Sequence, residues 1–317
     1  MSDLISVVLQ PGFFASEEVR TALVVGGIVA AVCAVVGVFT VLRGQSFAGH
    51  ALADVGSTGG AAAFLVAVPS LWGFVVFSLI GAAMMELIGL QRARGRDLAT
   101  GIVLGASLGA SALFLYWDST IHSSTGATMT VLFGSIFAIS ASLIPLVIGL
   151  SAASVLVVLL LFRPLLLCGV HPDLAAARGI PVRLVGAVYL AALAIAVALS
   201  AVAIGAILST ALLIGPAATA IKLTRRPATA IPTAVVLGVA STWLGVLLAY
   251  DSQRWPPSHH GWPVSFLVVA VMFLSYLAAD ASTARTARYA SRRRVRAPAA
   301  PTEATTGSLA LQLEVVG

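Results

Sequence analysis

With 317 residues, 59% of them apolar and only 9% charged, the chain cannot be a soluble domain, in which about a quarter of residues carry charge. A net charge of +6 would suit a nucleic-acid binder, but the placement of the basic residues turns it into a topology signal and excludes nucleic acid as a partner. Cys33 and Cys168 have no credible disulfide partner, so cysteine chemistry carries nothing. The opening stretch MSDLISVVLQPGFF lacks a basic leader and reads as a short interfacial segment before the first span.

Nine apolar runs follow, near 21–42, 48–68, 71–90, 98–116, 131–162, 184–202, 205–222, 228–249 and 263–280. Most approach the length of about 20 residues that crosses a hydrocarbon core of about 30 Å. The expected fold is an all-α polytopic membrane protein with about nine transmembrane helices. The fifth run is too long for one straight crossing. It reads either as a bent helix or as a short re-entrant piece, VLFGSIFAIS, followed by a full span. The sixth and seventh must meet in a tight turn near Gly205.

Orientation follows from the loops. Arg43, Arg92, Arg94, Arg96, Arg163, Arg178, Arg183, Lys222, Arg225, Arg226 and the arginines of the tail all fall on one side. That side holds sixteen basic residues and the other only Arg20 and Arg254, so it is cytoplasmic. The amino terminus is then outside and the carboxyl terminus inside. Residues 1–283 are expected to form the transmembrane domain, and 284–317 a cytoplasmic tail. The tail's basic stretch ARYASRRRVRAP suits anionic lipid heads, and the Pro/Ala/Thr-rich part beyond it has the composition of disorder.

Catalytic motifs fail in turn. GASLG at 105–109 fits a hydrolase nucleophile pattern, but Ser107 lies mid-span without a paired histidine. Gly101, Gly105 and Gly109 read instead as a small-residue ridge for close helix packing. Lys222 is the only lysine and follows no glycine-rich turn, so a nucleotide-binding loop cannot be built. The chain is not expected to be an enzyme.

The ionisable residues inside the spans carry the information. His50 and Asp54 lie four apart in RGQSFAGHALADVGSTGG, hence on one helix face. A charge at mid-membrane costs about 2.5–3.5 kcal/mol even on lenient scales. Imidazole plus carboxylate suits divalent transition ions, so the pair is the candidate metal site. The structural alternative is an inward hydrogen bond, with Asp54 accepting from His50 or a serine. Glu86, near the cytoplasmic end of the third span, either snorkels to the interface, pairs with Arg92 or Arg94, or lines an exit path. His122, His259 and His260, in external loops, are candidates for handing ions inward.

Between two spans, HPDLAAARGIP comprises His171, Pro172, Asp173, Leu174, Ala175, Ala176, Ala177, Arg178, Gly179, Ile180 and Pro181. Pro172 suits a helix start, Asp173 its first turn, and Gly179–Ile180–Pro181 its end. A short helix along the membrane face is what receives force from a soluble motor; an ordinary interfacial loop is the alternative.

Five stretches in order, VLRGQSFAGHALADVGSTGGAAAFL, RGRDLATGIVLGASLGASALFL, VLFGSIFAISASL, FRPLLLCGVHPDLAAARGIPVRLV and AVAIGAILSTALLIGPAATAIKLTRR, resemble the ABC-3 family. These are membrane permease subunits of ABC importers for zinc, manganese or ferrous iron. The resemblance spans about residues 15–280. It implies a prokaryotic cell membrane, a cytoplasmic pair of ABC ATPase subunits supplying ATP hydrolysis, and an extracytoplasmic metal-binding solute-binding protein. It also implies a second permease, a copy of this chain or a paralogue. No cofactor is bound permanently; the divalent ion is cargo, moved by alternating access. His171–Pro181 becomes the ATPase-coupling segment. Where the family's path helix carries histidine at its second ligand position, this chain has Asp54. An ion-gradient-coupled carrier working without an ATPase is the alternative, and it predicts more buried carboxylates and inverted halves.

Overall fold

The computed structural model describes residues 16–87, 93–121, 126–134, 136–139, 141–224, 226–252 and 261–296. Twelve α-helices and no strand occur among them. Their order is α1 (Glu17–Leu42), α2 (Ser46–Leu65), α3 (Ser70–Leu87), α4 (Ala93–Ile121), α5 (Gly126–Phe133) and α6 (Ile144–Leu160), then α7 (Phe162–Val170), α8 (Pro172–Ala177), α9 (Val182–Ile204), α10 (Ala206–Leu223), α11 (Pro227–Asp251) and α12 (Val264–Arg296).

α1 begins at Ser16, whose hydroxyl accepts from the Val19 amide. Glu17 and Glu18 follow in its first turn, where the helix dipole favours anions. α1 and α9 form the centre, each with 72% of its span-length window buried, against 22% for α4. Large apolar side chains such as Trp72, Trp243, Phe266 and Phe273 stay exposed on the periphery, as a lipid-facing surface allows.

Among the described residues seven helices are long and apolar enough to cross a membrane: α1, α3, Gly101–Ile121 of α4, α9, α10, α11 and Val264–Ala284 of α12. This is a multi-pass membrane protein. α6 and α7, taken together across a bend of 62°, would make an eighth. α2 has the length, 20 residues, but its glycines, serines, His50 and Asp54 leave it too polar to qualify by apolarity. Instead it is enclosed by protein, packed mainly on α3 and α4. At its crossing with α3, a Cβ on Gly59 or on Gly73 would sit 2.1 Å from the other's carbonyl oxygen, so the two backbones touch. Close approach of this kind is how helices associate where no hydrophobic drive exists between them.

The long fifth run resolves into pieces. α5 ends at Phe133, two 3₁₀ turns follow at Ile136–Ala138 and Ala141–Leu143, and α6 starts at Ile144. A second break at Leu161 falls within the predicted run. Pro164 has no N–H to offer the carbonyl of Leu160, so the ladder stops there and restarts as α7. The tight turn expected near Gly205 is a single residue: α9 ends at Ile204 and α10 begins at Ala206.

The glycine ridge of α4 packs against nothing among the described residues. A Cβ on Gly101, Gly105 or Gly109 would meet open space. α4 turns its serine face to α2 instead: Ser57 Oγ donates to Ser111 Oγ, and Thr58 Oγ1 donates to the Ser107 carbonyl at 2.7 Å. α12 continues through Ala284 to Arg296 as one helix. Lys222 ties it to α10, pairing with Asp280 and lying 4.2 Å from the centroid of Tyr276.

Tyr189 joins α9 to α1. It is fully buried, and its hydroxyl lies 2.7 Å from Thr40 Oγ1 and 3.1 Å from the Val36 carbonyl. Tyr189→Phe leaves Thr40 bonded to the same carbonyl. The loss is therefore one interhelical bond, about 1 kcal/mol, visible as a modest drop in unfolding temperature in detergent with the fold retained.

Candidate functional site

The first turns of α2 carry the site. Phe47 is exposed, His50 is half-buried, and Asp54 lies deeper on the same side of the helix. The imidazole is 41% exposed and the carboxylate 9%, so a polar group inside the protein meets one that reaches its surface. His50 Nε2 stands 3.8 Å from Asp54 Oδ2, too far for a hydrogen bond. Two ligands each about 2.1 Å from one tetrahedral ion lie about 3.4 Å apart, so a small inward shift would let both hold one cation.

The hydrogen-bond alternative fares poorly on Asp54. Ser57 Oγ at 2.7 Å and Thr58 Oγ1 at 3.3 Å both donate to its backbone carbonyl, not to its carboxylate. Among the described residues the carboxylate makes no hydrogen bond, and its nearest titratable neighbour is His50. His50 does make an interhelical bond: Nδ1 lies 3.1 Å from Thr210 Oγ1 on α10. No group of three or more His, Cys, Asp or Glu that could hold a metal ion occurs among the described residues. The described residues thus offer two donors on a partly open face.

Glu86 is not brought to this pair. It lines a cavity of about 500 Å3 together with Arg43, Gln45, Asp173 and Arg183. Neither His50 nor Asp54 lines this cavity, which reaches α2 only at its cap residue Gln45. The Gln45 Oε1 atom is buried there without a hydrogen-bond partner among the described residues. Arg92 lies outside the described residues, as do His122, His259 and His260.

The segment after α7 forms the short helix expected of it. α8 is six residues long, opens on Pro172 and Asp173, and is closed by a turn through Arg178 and Gly179, the latter at φ 77°. Ala175 is fully buried, and the Ile180 amide donates back to its carbonyl. The rest of the helix, including Leu174, faces outward. Pro172, Asp173 and Ala176 also line the Glu86 cavity, so the outward helix and the start of α2 share one space.

Sequence reasoning missed Thr210 and Gln45. A threonine in an apolar span draws no notice, since most such hydroxyls bond their own helix. Its contact with His50 joins residues 160 apart in sequence.

The site thus sits in a multi-pass helical bundle, on a polar helix enclosed by protein, with a short outward helix after α7. The family comparison agrees: the sequence model of the ABC 3 transport family matches residues 15–279, and the chain belongs to that family, whose members are membrane permeases of ABC transporters. It is 30% identical to the manganese import system permease protein ScaB of Streptococcus pneumoniae, over 77% of this chain and 84% of that one. It is 28% identical to the manganese transport system membrane protein MntC of Halalkalibacterium halodurans, over 74% and 79%. With the high-affinity zinc uptake system membrane protein ZnuB of Haemophilus influenzae it shares 29% over 76% and 92%. Among solved structures, PsaBC from Streptococcus pneumoniae in complex with Fab superposes with a TM-score of 0.70 at 25% identity, covering 84% of this chain and 92% of that one.

Proposed function

We propose that this chain is the permease subunit of an ATP-driven importer of a divalent transition-metal ion in a prokaryotic cell membrane. Manganese and zinc are the leading cargoes, with ferrous iron the third. The observation that carries the reading is the His50–Asp54 pair, an imidazole and a buried carboxylate on an enclosed helix of an ABC 3 chain. Relatives named for manganese and zinc import support the cargo class.

In this reading nine segments cross the membrane, α2 and the α5–α6 unit included, with the amino terminus outside and the basic tail inside. Two permeases face each other so that two imidazoles and two carboxylates surround one ion, which answers the shortage of donors in a single chain. A cytoplasmic ATPase pair docks on α8 and supplies the hydrolysis. An extracytoplasmic binding protein delivers the ion, and the two permeases alternate access around it. Mixed nitrogen and oxygen ligation accepts all three metals, so the choice among them rests largely on the binding protein.

The test is uptake by vesicles holding the permease with its ATPase and binding protein, measured for manganese, zinc and ferrous iron with and without ATP. Uptake that needs ATP supports the reading; uptake that survives ATP depletion but collapses with the proton gradient overturns it for a stand-alone carrier. Leu174→Asp, placing a charge on the outward side of α8 while Ala175 keeps its anchor, should release the ATPase. The expected result is loss of ATPase co-purification, with permease abundance in the membrane unchanged.

A further inference from the structure

We propose that Thr210 is a positioning residue of the ion path: its hydroxyl anchors His50 through Nδ1 and so commits Nε2, beside Asp54, to the passing cation. This rests on the reading of His50 and Asp54 as cargo ligands, and it adds to the site a residue from a different helix.

The chemistry of imidazole sets the requirement. A neutral ring carries one proton on two nitrogens. A cation shared by Nε2 and the carboxylate needs a lone pair from each, so the ring proton must then reside on Nδ1. That N–H needs an acceptor, and Thr210 Oγ1 stands 3.1 Å from it. It is the ring's one hydrogen-bond partner among the described residues.

Two further features set this hydroxyl apart. Thr40, Thr219, Thr224 and Thr233 each turn Oγ1 back to the carbonyl four residues earlier, the ordinary habit of a helical threonine. Thr210 makes no such bond among the described residues and faces His50 instead. Thr210 also lies only five residues past Gly205, where the chain is held backbone against backbone. A Cβ on Gly205 would lie 2.2 Å from the Leu132 carbonyl oxygen, and one on Gly134 2.4 Å from the Gly205 nitrogen. The anchor therefore projects from the fixed end of α10, as a group that orients a ligand should.

Partners that orient a metal-ligating histidine are worth about 10–100-fold in metal affinity. Thr210→Val keeps the shape and replaces the hydroxyl with a methyl group; Thr210→Ser keeps the hydroxyl; Thr210→Ala stands in should the valine variant fail to reach the membrane. The experiment titrates Zn2+ into full-length permease in nanodiscs and records ¹⁵N spectra of histidine-labelled protein, assigning His50 as the signals lost in His50→Ala. Zn2+ affinity should fall about 10–100-fold in Thr210→Val or Thr210→Ala and recover in Thr210→Ser. In the Zn2+-loaded native protein His50 should be protonated on Nδ1 and metallated on Nε2. Native affinity in the valine or alanine variant, or metallation through Nδ1, overturns the role of Thr210. If His50→Ala itself binds and transports Zn2+ like the native chain, the cargo-ligand reading falls and this inference with it. If His50→Ala loses both while Thr210→Val loses neither, only the role of Thr210 falls.

Discussion

Asp54→Asn is expected to abolish metal uptake while leaving the permease at least as stable as the native protein. The two effects have different origins. The Asp54 carboxylate is 9% exposed, and the titratable group beside it among the described residues is an imidazole 3.8 Å away. Holding a charge there is unfavourable unless something compensates it. Asparagine keeps the shape and removes the charge. The hydroxyls of Ser57 and Thr58 bond the backbone carbonyl of residue 54, so they lose nothing. On the proposed reading transport, by contrast, loses an anionic ligand that asparagine cannot replace, and uptake should fall by roughly two orders of magnitude or more, beyond the 10–100-fold assigned to a merely orienting partner. His50→Ala should match it in uptake, with a small loss of stability from the broken Thr210 contact. The measurements are initial rates of uptake for manganese, zinc and ferrous iron, and unfolding temperatures in detergent. A stable variant with native uptake of every metal would return the pair to a structural role; parallel loss of stability and uptake would do the same.

Gly205→Ala carries the largest expected effect on folding. Its backbone, at φ 89° and ψ 157°, lies in a region essentially closed to residues with a Cβ. The added methyl would also meet the Leu132 carbonyl oxygen at 2.2 Å and the Phe133 carbonyl carbon at 2.5 Å. Backbone strain alone costs about 1–3 kcal/mol, and the clash adds to it because neither partner is the free end of a side chain. The variant should reach the membrane in far smaller amounts than the native protein. Gly149→Ala, with open space around the new methyl, should be produced normally. Equal abundance of the two variants would show that the α5–α10 contact is loose.

Much of the molecule was legible from its residues in order. Apolar run length located the helices, since crossing a bilayer demands continuous apolar stretches. The pairing of Gly205 with a helix reversal followed from two long runs with almost nothing between them. His50 and Asp54 stood out because ionisable groups are rare in such runs, and their spacing of four put them on one face. The short helix α8 was visible in its Pro172 start and Gly179 stop.

What the sequence by itself determined, then, is the class of protein, its helices and one half of its site: properties of composition and short-range periodicity, which linear order records directly. Tertiary structure alone decided that α2 is enclosed by protein despite its polarity, that the α4 glycine ridge faces away from the chain, and that Glu86 belongs to the α8 cavity rather than to the His50 face. It alone joined Thr210 to His50. Each of these depends on which helix neighbours which and on the rotation of each about its axis. In a membrane those choices rest on close packing of small residues and a few interhelical hydrogen bonds, terms set by pairs of residues far apart in the chain and therefore unreadable one segment at a time.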